Sequence, residues 1–265
     1  MTIQSVPHGS IERLNEFFAP CREARHRRNR AMTRSINRIL PGIELGYDRD
    51  VLPLSKAPEG GGVTERHLMY ALARRIVQRT GRGSAAIGFL EDAMGVALSP
   101  KQRAQLSDIG YPFYEYDLLG ILKSSFLPGI YIDADEECPS LDEIAGLCRD
   151  IDALLCYAYL GDVTDSVTGD KKAQKFEDDY LDEVMECMAE HGVRGVTYMP
   201  TRNTPAQLAR IRELAERHGF IQVSGEDINS PRQSFVIRAM DNPAFSNLIE
   251  STWKLINHET KGAKL

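Results

Sequence analysis

The chain has 265 residues, of which 42% are apolar, 26% charged and 8% aromatic, which suits a globular core and excludes disordered and fibrous classes. Its formal charge is −6, from 32 Lys plus Arg against 38 Asp plus Glu, so only a local basic patch is left to bind a polyanion. No apolar run reaches the roughly 18 residues of a membrane span, and Cys21, Cys138, Cys148, Cys156 and Cys187 form no C-x-x-C pair, so the expectation is a soluble, cytoplasmic chain with reduced thiols.

The first predicted element is a long helix from Ser10 to about Ile39. Within it Arg22, Arg25, Arg27, Arg28, Arg30, Arg34 and Arg38 face a single acid, Glu23, a pattern that raises contact with nucleic-acid phosphates. Aromatic side chains are not interleaved with these arginines, and Ala24, Ala31, Ile36 and Ile39 give the helix a side to bury, which places nucleic acid second as a partner. A turn at Pro41-Gly42 and a glycine-rich loop at Glu59 to Gly62 follow. Another helix opens near Thr64 and runs to about Arg79. Residues 83 to 125 read as two or three further helices, broken at Gly95, Ser99-Pro100 and Gly110-Tyr-Pro112, and form a helical insertion in this reading.

Beyond residue 129 short β-like runs alternate with helical patterns. Gly129 to Ile132 reads as a strand with an acidic tip at Asp133, Asp135, Glu136 and Glu137. Ser140 to Glu143 is a capping box, and Ile144, Leu147, Cys148 and Ile151 continue the helix on one face. Ala153 to Leu160 reads as a buried strand ending at Gly161-Asp162. A polar stretch from Asp162 to Asp179 leads to a helix with Leu181, Val184, Met185 and Met188 on one side, stopped at His191-Gly192. Gly195 to Met199 is the next strand. Thr204, Pro205 and Gln207 open a helix that ends at Gly219, and Phe220 to Ser224 is a further strand with its tip at Gly225 to Asn229. Asn242-Pro243 caps a final helix through Trp253. Strands joined by helices build parallel sheets, so the class is α/β.

In such folds the reactive groups gather at the carboxyl ends of the strands. Here those ends carry Asp133 and Asp135, then Asp162, then Thr201, Arg202 and Asn203, then Glu226, Asp227 and Asn229. Hard oxygen donors with an occasional imidazole suit divalent cations, which activate water and stabilise phosphoryl charge. Glu44, after a short apolar run, and His67, in the first turn of a helix, add a second pair of donors. His191 and His218 sit at helix C-termini, where an imidazole complements the dipole. His8, His26 and His258 have no assigned place and are expected in solvent.

Pro41-Gly-Ile-Glu44, His67 at the next helix start, and Asp227-x-Asn229 in the last strand tip resemble motifs of the PHP (polymerase and histidinol phosphatase) family. The resemblance implies a distorted (β/α)7 barrel holding divalent metal ions, Mn, Mg, Fe or Zn, for phosphate-ester hydrolysis. It implies Glu44 as bridging carboxylate, His67 as its paired histidine, and Asp227 and Asn229 as the closing ligands. It covers about Pro41 to Asn229. The opening His-x-His and Thr-Asp-His of that family have no counterpart, and Asn229 stands where it has histidine. The expected architecture is therefore one PHP-like domain over residues 1–265, incomplete at its N-terminus.

Six acids and three lysines crowd Asp162 to Asp179, a connection longer than usual. Lys171, Lys172 and Arg202 are the expected contacts of an anionic substrate, a small phosphorylated molecule. The expected function is metal-dependent phosphoesterase chemistry. The alternative is a catalytically impaired barrel remnant that serves as a binding module. A different barrel enzyme, such as a sugar-phosphate isomerase or an aldolase, ranks below both, and the absence of a lysine at a strand tip to form a Schiff base lowers the aldolase option.

Overall fold

A computed structural model describes residues 1–162, 176–228, 230–262 and 265. In chain order its regular elements are β1 (Thr2–Gln4), α1 (Ile11–Ile39), α2 (Glu65–Thr80), α3 (Ser84–Gly88), α4 (Pro100–Ser107), α5 (Tyr114–Ser125), α6 (Leu141–Asp150), β2 (Leu154–Ala158), α7 (Leu181–Glu190), β3 (Gly195–Tyr198), α8 (Pro205–His218), β4 (Ile221–Ser224) and α9 (Ser246–Lys261). The fold is mixed α/β and mostly helical. No helix among the described residues is long and apolar enough to cross a membrane.

The chain divides into two compact units. One comprises Met1–Phe17 and Pro139–Leu265, the other Phe18–Cys138. Pro20, inside α1 and just past the division, lacks the N–H that would continue the helical ladder there.

The 18–138 unit is helical. Met32 and Ile36 of α1, Leu68 and Leu72 of α2, and Leu118 and Leu122 of α5 share one buried cluster. The expected breaks at Gly95 and Gly110 to Pro112 fall between helices, and Ser99-Pro100 falls at the start of α4, where Ser99 is the cap and Gln102 closes the box. Gly129 to Ile132 is not a strand: a 3-10 turn covers Leu127–Gly129 and irregular backbone follows. Tyr131 is 46% exposed and Ile132 39%, so the run has only Ile130 to bury, and among the described residues it pairs with no strand.

The acids after that run do not form a strand tip either. The last two meet α1, where the Glu137 carboxylate accepts from Arg25 Nε at 2.7 Å and from Arg28 Nε. Arg28 also pairs with Glu65 and donates to the Ile132 carbonyl at 3.1 Å. Arg27 binds Glu136 and Arg30 binds Asp48. Much of the basic stretch thus spends its charge on carboxylates of its own unit rather than presenting it to a polyanion.

The other unit holds the sheet. Its strands lie in the order β1-β2-β3-β4, with β1 antiparallel to β2 and the remaining pairs parallel. These four strands, rather than seven in a closed ring, are what the described residues display. Register sets Cys156, Gly195 and Ile221 side by side, and a Cβ at Gly195 would lie 2.6 Å from Cys156 Sγ, so only glycine lets these strands approach. Leu154, Cys156 and Val223 bury one face with Leu255 of α9. On α8, Leu208, Ile211 and Leu214 are buried, and that helix packs on β3 and β4.

Burial tends to raise the Glu137 carboxyl pKa, but hydrogen bonds from Arg28 and Arg25 outweigh it and hold it below the ordinary value of 4.5. A depressed carboxyl contributes stability above the unfolded value, which is lost as pH falls through the folded one. Glu137→Ala is expected to cost about 3 kcal/mol in urea unfolding at pH 7, because Arg28 stays buried with one partner fewer. The difference from the parent is expected to shrink as the pH drops below about 4.5.

Candidate functional site

The carboxyl ends of β2, β3 and β4 converge within the sheet-bearing unit, and carboxylates organise them. Glu177 accepts from the Tyr157 hydroxyl and from the Gly161 N–H at 2.8 Å. Asp178 accepts from the Tyr159 hydroxyl at 2.5 Å and the Asp162 N–H at 3.2 Å. Asp162 in turn accepts from the N–H groups of Phe176 at 2.9 Å and Glu177 at 2.8 Å. Burial first, and the adjoining carboxylates second, push both phenols far above their usual range.

Two amide side chains join this edge to the next strand. Asn203 is buried. It accepts from the Met199 N–H at 3.0 Å and donates to the Leu160 carbonyl at 2.8 Å, tying the ends of β2 and β3. Gln207 closes the capping box of α8 by accepting from the Thr204 N–H at 2.8 Å. Its NH₂ donates to Asp178 Oδ2 at 2.7 Å and to the Asp162 carbonyl at 2.9 Å. Gly161, at φ +70°, lies under both: a Cβ there would stand 2.7 Å from Asn203 Nδ2 and 2.9 Å from Gln207 Nε2. At β4, Glu226 accepts from the N–H of Thr201 at 2.9 Å and from its hydroxyl.

Arg202 stands in the same loop. Its Nε is buried without a hydrogen-bond partner, and the side chain has no ion pair among the described residues. Arg210 contrasts with it, held by Asp182 and by the Asp178 carbonyl at 2.6 Å.

Of the expected metal ligands, Glu44 and His67 lie in the 18–138 unit and Asp227 in the other; Asn229, like Lys171 and Lys172, lies outside the described residues. Glu44 is exposed and adopts φ +52°. Its carbonyl accepts from Arg49 Nη2 at 2.6 Å and Arg75 Nη2 at 3.1 Å, so Pro41-Gly-Ile-Glu44 is a turn clamped through its backbone. Asp227 is exposed, and its carbonyl accepts from Gln233 Nε2 at 3.3 Å.

His67 has a different task from ligation. Its Nδ1 accepts from the Thr64 N–H at 3.0 Å and lies 3.0 Å from the Thr64 hydroxyl, which makes it the third residue of a helix-capping box. Nδ1 therefore carries the lone pair and Nε2 the proton, leaving no free nitrogen lone pair for a cation. Burial first, then Arg66, lower its pKa. Among the described residues, no three His, Cys, Asp or Glu side chains gather closely enough to hold a metal ion. The oxygen donors suit a hard cation by chemistry; the imidazole, in this orientation, does not fit one.

Two other histidines correct the sequence reading. His258 is buried and donates from Nε2 to the Asp152 carbonyl at 2.6 Å. Its spacing from Leu248 and Leu255 on the buried face of α9 was the available signal. His26 bonds Tyr47 through Nδ1 at 2.5 Å. His191 and His218 do sit at the C-terminal ends of α7 and α8.

No protein-family model matches this chain, and neither does any curated protein. Among solved structures it is similar to a protein from Bifidobacterium adolescentis assigned as a metal-dependent phosphoesterase, with a TM-score of 0.50 and 22% identity. At this identity the likeness is one of backbone fold. The likeness covers 87% of this chain and 62% of the other, so the chain spans less than two thirds of the protein it resembles.

Two predictions test this geometry. His67→Ala is expected to lower stability by about 1 kcal/mol through the lost cap, and ¹⁵N shifts of the wild-type ring are expected to report the Nε2–H tautomer at pH 7, unchanged by added Mn²⁺ or Zn²⁺. Gln207→Glu keeps a good capping acceptor but sets a carboxylate against Asp178. Thermal or urea unfolding is expected to show a loss of roughly 1–3 kcal/mol at neutral pH.

Proposed function

We propose that the chain is a PHP-like phosphoesterase domain acting on small phosphate esters. In this reading residues 1–265 form one domain, a (β/α)7-type barrel with 83–125 as its helical insertion. Its chemistry is metal-assisted hydrolysis in the cytoplasm, with Mn, Mg, Fe or Zn lowering the pKa of a bound water. Glu44, Asp227 and Asn229 are the proposed oxygen ligands. His67 joins them only by giving up its bond to Thr64. Lys171, Lys172 and Arg202 are the proposed contacts of the substrate phosphate.

The observation that carries this reading is the fold shared with a metal-dependent phosphoesterase over 87% of the chain. Arg202 supports it, since a guanidinium without an ion-pair partner among the described residues, at the carboxyl ends of the parallel strands, suits a phosphoryl group.

A second reading, a catalytically impaired remnant that binds a partner or ligand, is favoured by one specific observation. The imidazole expected to ligate is committed to a helix cap, and Asp162, Glu177, Asp178 and Glu226 are engaged in hydrogen bonds within their own unit.

The two readings part on one experiment. The purified chain is analysed for Mn, Fe and Zn, and its turnover of p-nitrophenyl phosphate is measured with and without added Mn²⁺. The phosphoesterase reading expects metal-dependent turnover that Asp227→Asn and Arg202→Ala each lower roughly tenfold or more. Bound metal and turnover both at background would overturn it in favour of the remnant.

A further inference from the structure

The turn after β3 holds a two-donor seat for an oxyanion, and a carboxylate of the chain itself sits in it. The Arg202 N–H donates to the Met199 carbonyl at 3.1 Å, so Met199 to Arg202 is a four-residue turn with Pro200 and Thr201 at its centre. Proline presets the backbone of the first central position, and the N–H of the second lies outside the turn's own bond. That free N–H, on exposed Thr201, donates to Glu226 Oε1 at 2.9 Å, and the Thr201 hydroxyl donates to Oε2. Glu226 reaches the turn because Gly225 lies flush on β3. The Gly225 N–H donates to the Tyr198 carbonyl at 2.8 Å, and a Cβ on this glycine would stand 3.0 Å from Thr197 Cβ.

Arg202, the next residue of the same turn, has its Nε buried without a partner and no ion pair among the described residues. Both oxygens of Glu226 are spent on Thr201, so the adjoining cation goes without an acceptor, and an unmade buried donor is a standing cost. A phosphoryl group brings three acceptor oxygens and more charge than a carboxylate. It can take over both Thr201 bonds and offer a further oxygen to the guanidinium.

We propose that Thr201 and Arg202 form a phosphate seat and that Glu226 is its internal occupant, displaced when a phosphoryl group binds. The inference rests on the reading that takes Arg202 as a contact of the substrate phosphate, and adds that the seat is self-blocked. A competing internal group lowers the apparent affinity of a ligand by the fraction of time it leaves the seat open. Glu226 therefore sets how strong an anion must be to enter, and holds out single carboxylates, which replace its two bonds without gaining a third.

Amide shifts of Thr201 and Arg202 in ¹H–¹⁵N spectra of the full chain, titrated with inorganic phosphate, test the seat. Phosphate is expected to move both amides, and to bind Glu226→Gln roughly tenfold or more tightly than the parent, the gain of a seat otherwise open about a tenth of the time. Glu226→Asp, which keeps the charge but shortens its reach, is expected to bind phosphate more tightly than the parent too. Arg202→Ala in the Glu226→Gln chain is expected to cancel the gain. Equal affinity in the parent and both Glu226 variants, with the Arg202 amide moving in all three, would overturn the inference and leave Arg202 as a substrate contact. A gain confined to Glu226→Gln would also overturn it, because charge would then act without displacement. No phosphate-induced shift at Arg202 in any of the three would overturn the inference and that contact together. Displacement seen while turnover of p-nitrophenyl phosphate stays at background would support the seat as the phosphoesterase reading falls.

Discussion

Carboxylates that accept backbone N–H groups hold the carboxyl end of the sheet together, and the placement of every group there depends on them. Where β2 ends, the chain leaves the ladder and its N–H groups need new partners, since a buried donor left unmade costs about 1–3 kcal/mol. Glu177 takes the N–H of Gly161, Asp178 that of Asp162, and Asp162 those of Phe176 and Glu177. The acids thus tie the end of β2 to the residues that lead into α7. Tyr157 and Tyr159 complete the arrangement as hydroxyl donors, and ionising either would set a phenolate against a carboxylate in a buried place.

The 18–138 unit uses the same chemistry from the opposite sign. Its long helix carries the cations, and the irregular segment after Ile130 supplies acids to meet them. Arg28 is the centre: burial disfavours its charge, yet Glu137 and Glu65 more than compensate and keep it protonated. Tyr131 lies under the guanidinium at 5.5 Å. A buried guanidinium with two carboxylates fixes where the segment lies on the helix, because displacing it strands a charge in a poor solvent. An arginine-rich stretch read one residue at a time looks like a surface for phosphates. Read with the acids a hundred residues later, three of its seven arginines, Arg25, Arg27 and Arg28, hold carboxylates of their own unit.

Local signals were legible in the sequence and distant ones were not. The capping boxes at Ser140 and Thr204 were readable because both partners lie within four residues, and each begins a helix where expected. Strands β2, β3 and β4 fall inside the predicted runs; β2 was legible because it is continuously apolar, and β3 and β4 because each follows the glycine that ends a helix. Strand β1 escaped because three residues carry no periodicity and its partner, β2, lies far downstream. Gly129 to Ile132 misled because an apolar run alone does not tell whether a neighbour waits to pair with it. Gln207 was legible as a cap but not as the link to Asp178, since nothing local says where the other end of an amide points.

The site itself shows why residue type at a motif position is weaker evidence than the lone pair it leaves available. Glu44 keeps an exposed carboxylate, while its backbone is what the surrounding arginines grip. His67 has the identity of a ligand, but its accepting nitrogen already closes the first turn of α2. A cation at that nitrogen would need Thr64 to release its N–H into a half-buried place, and a cation at the other would need the ring proton to move to where it opposes that same N–H. Either route sets metal affinity against the stability of the helix start. The fold's likeness to a phosphoesterase and the commitments of these side chains are therefore separate facts, since backbone topology survives changes in hydrogen bonding that remove a ligand.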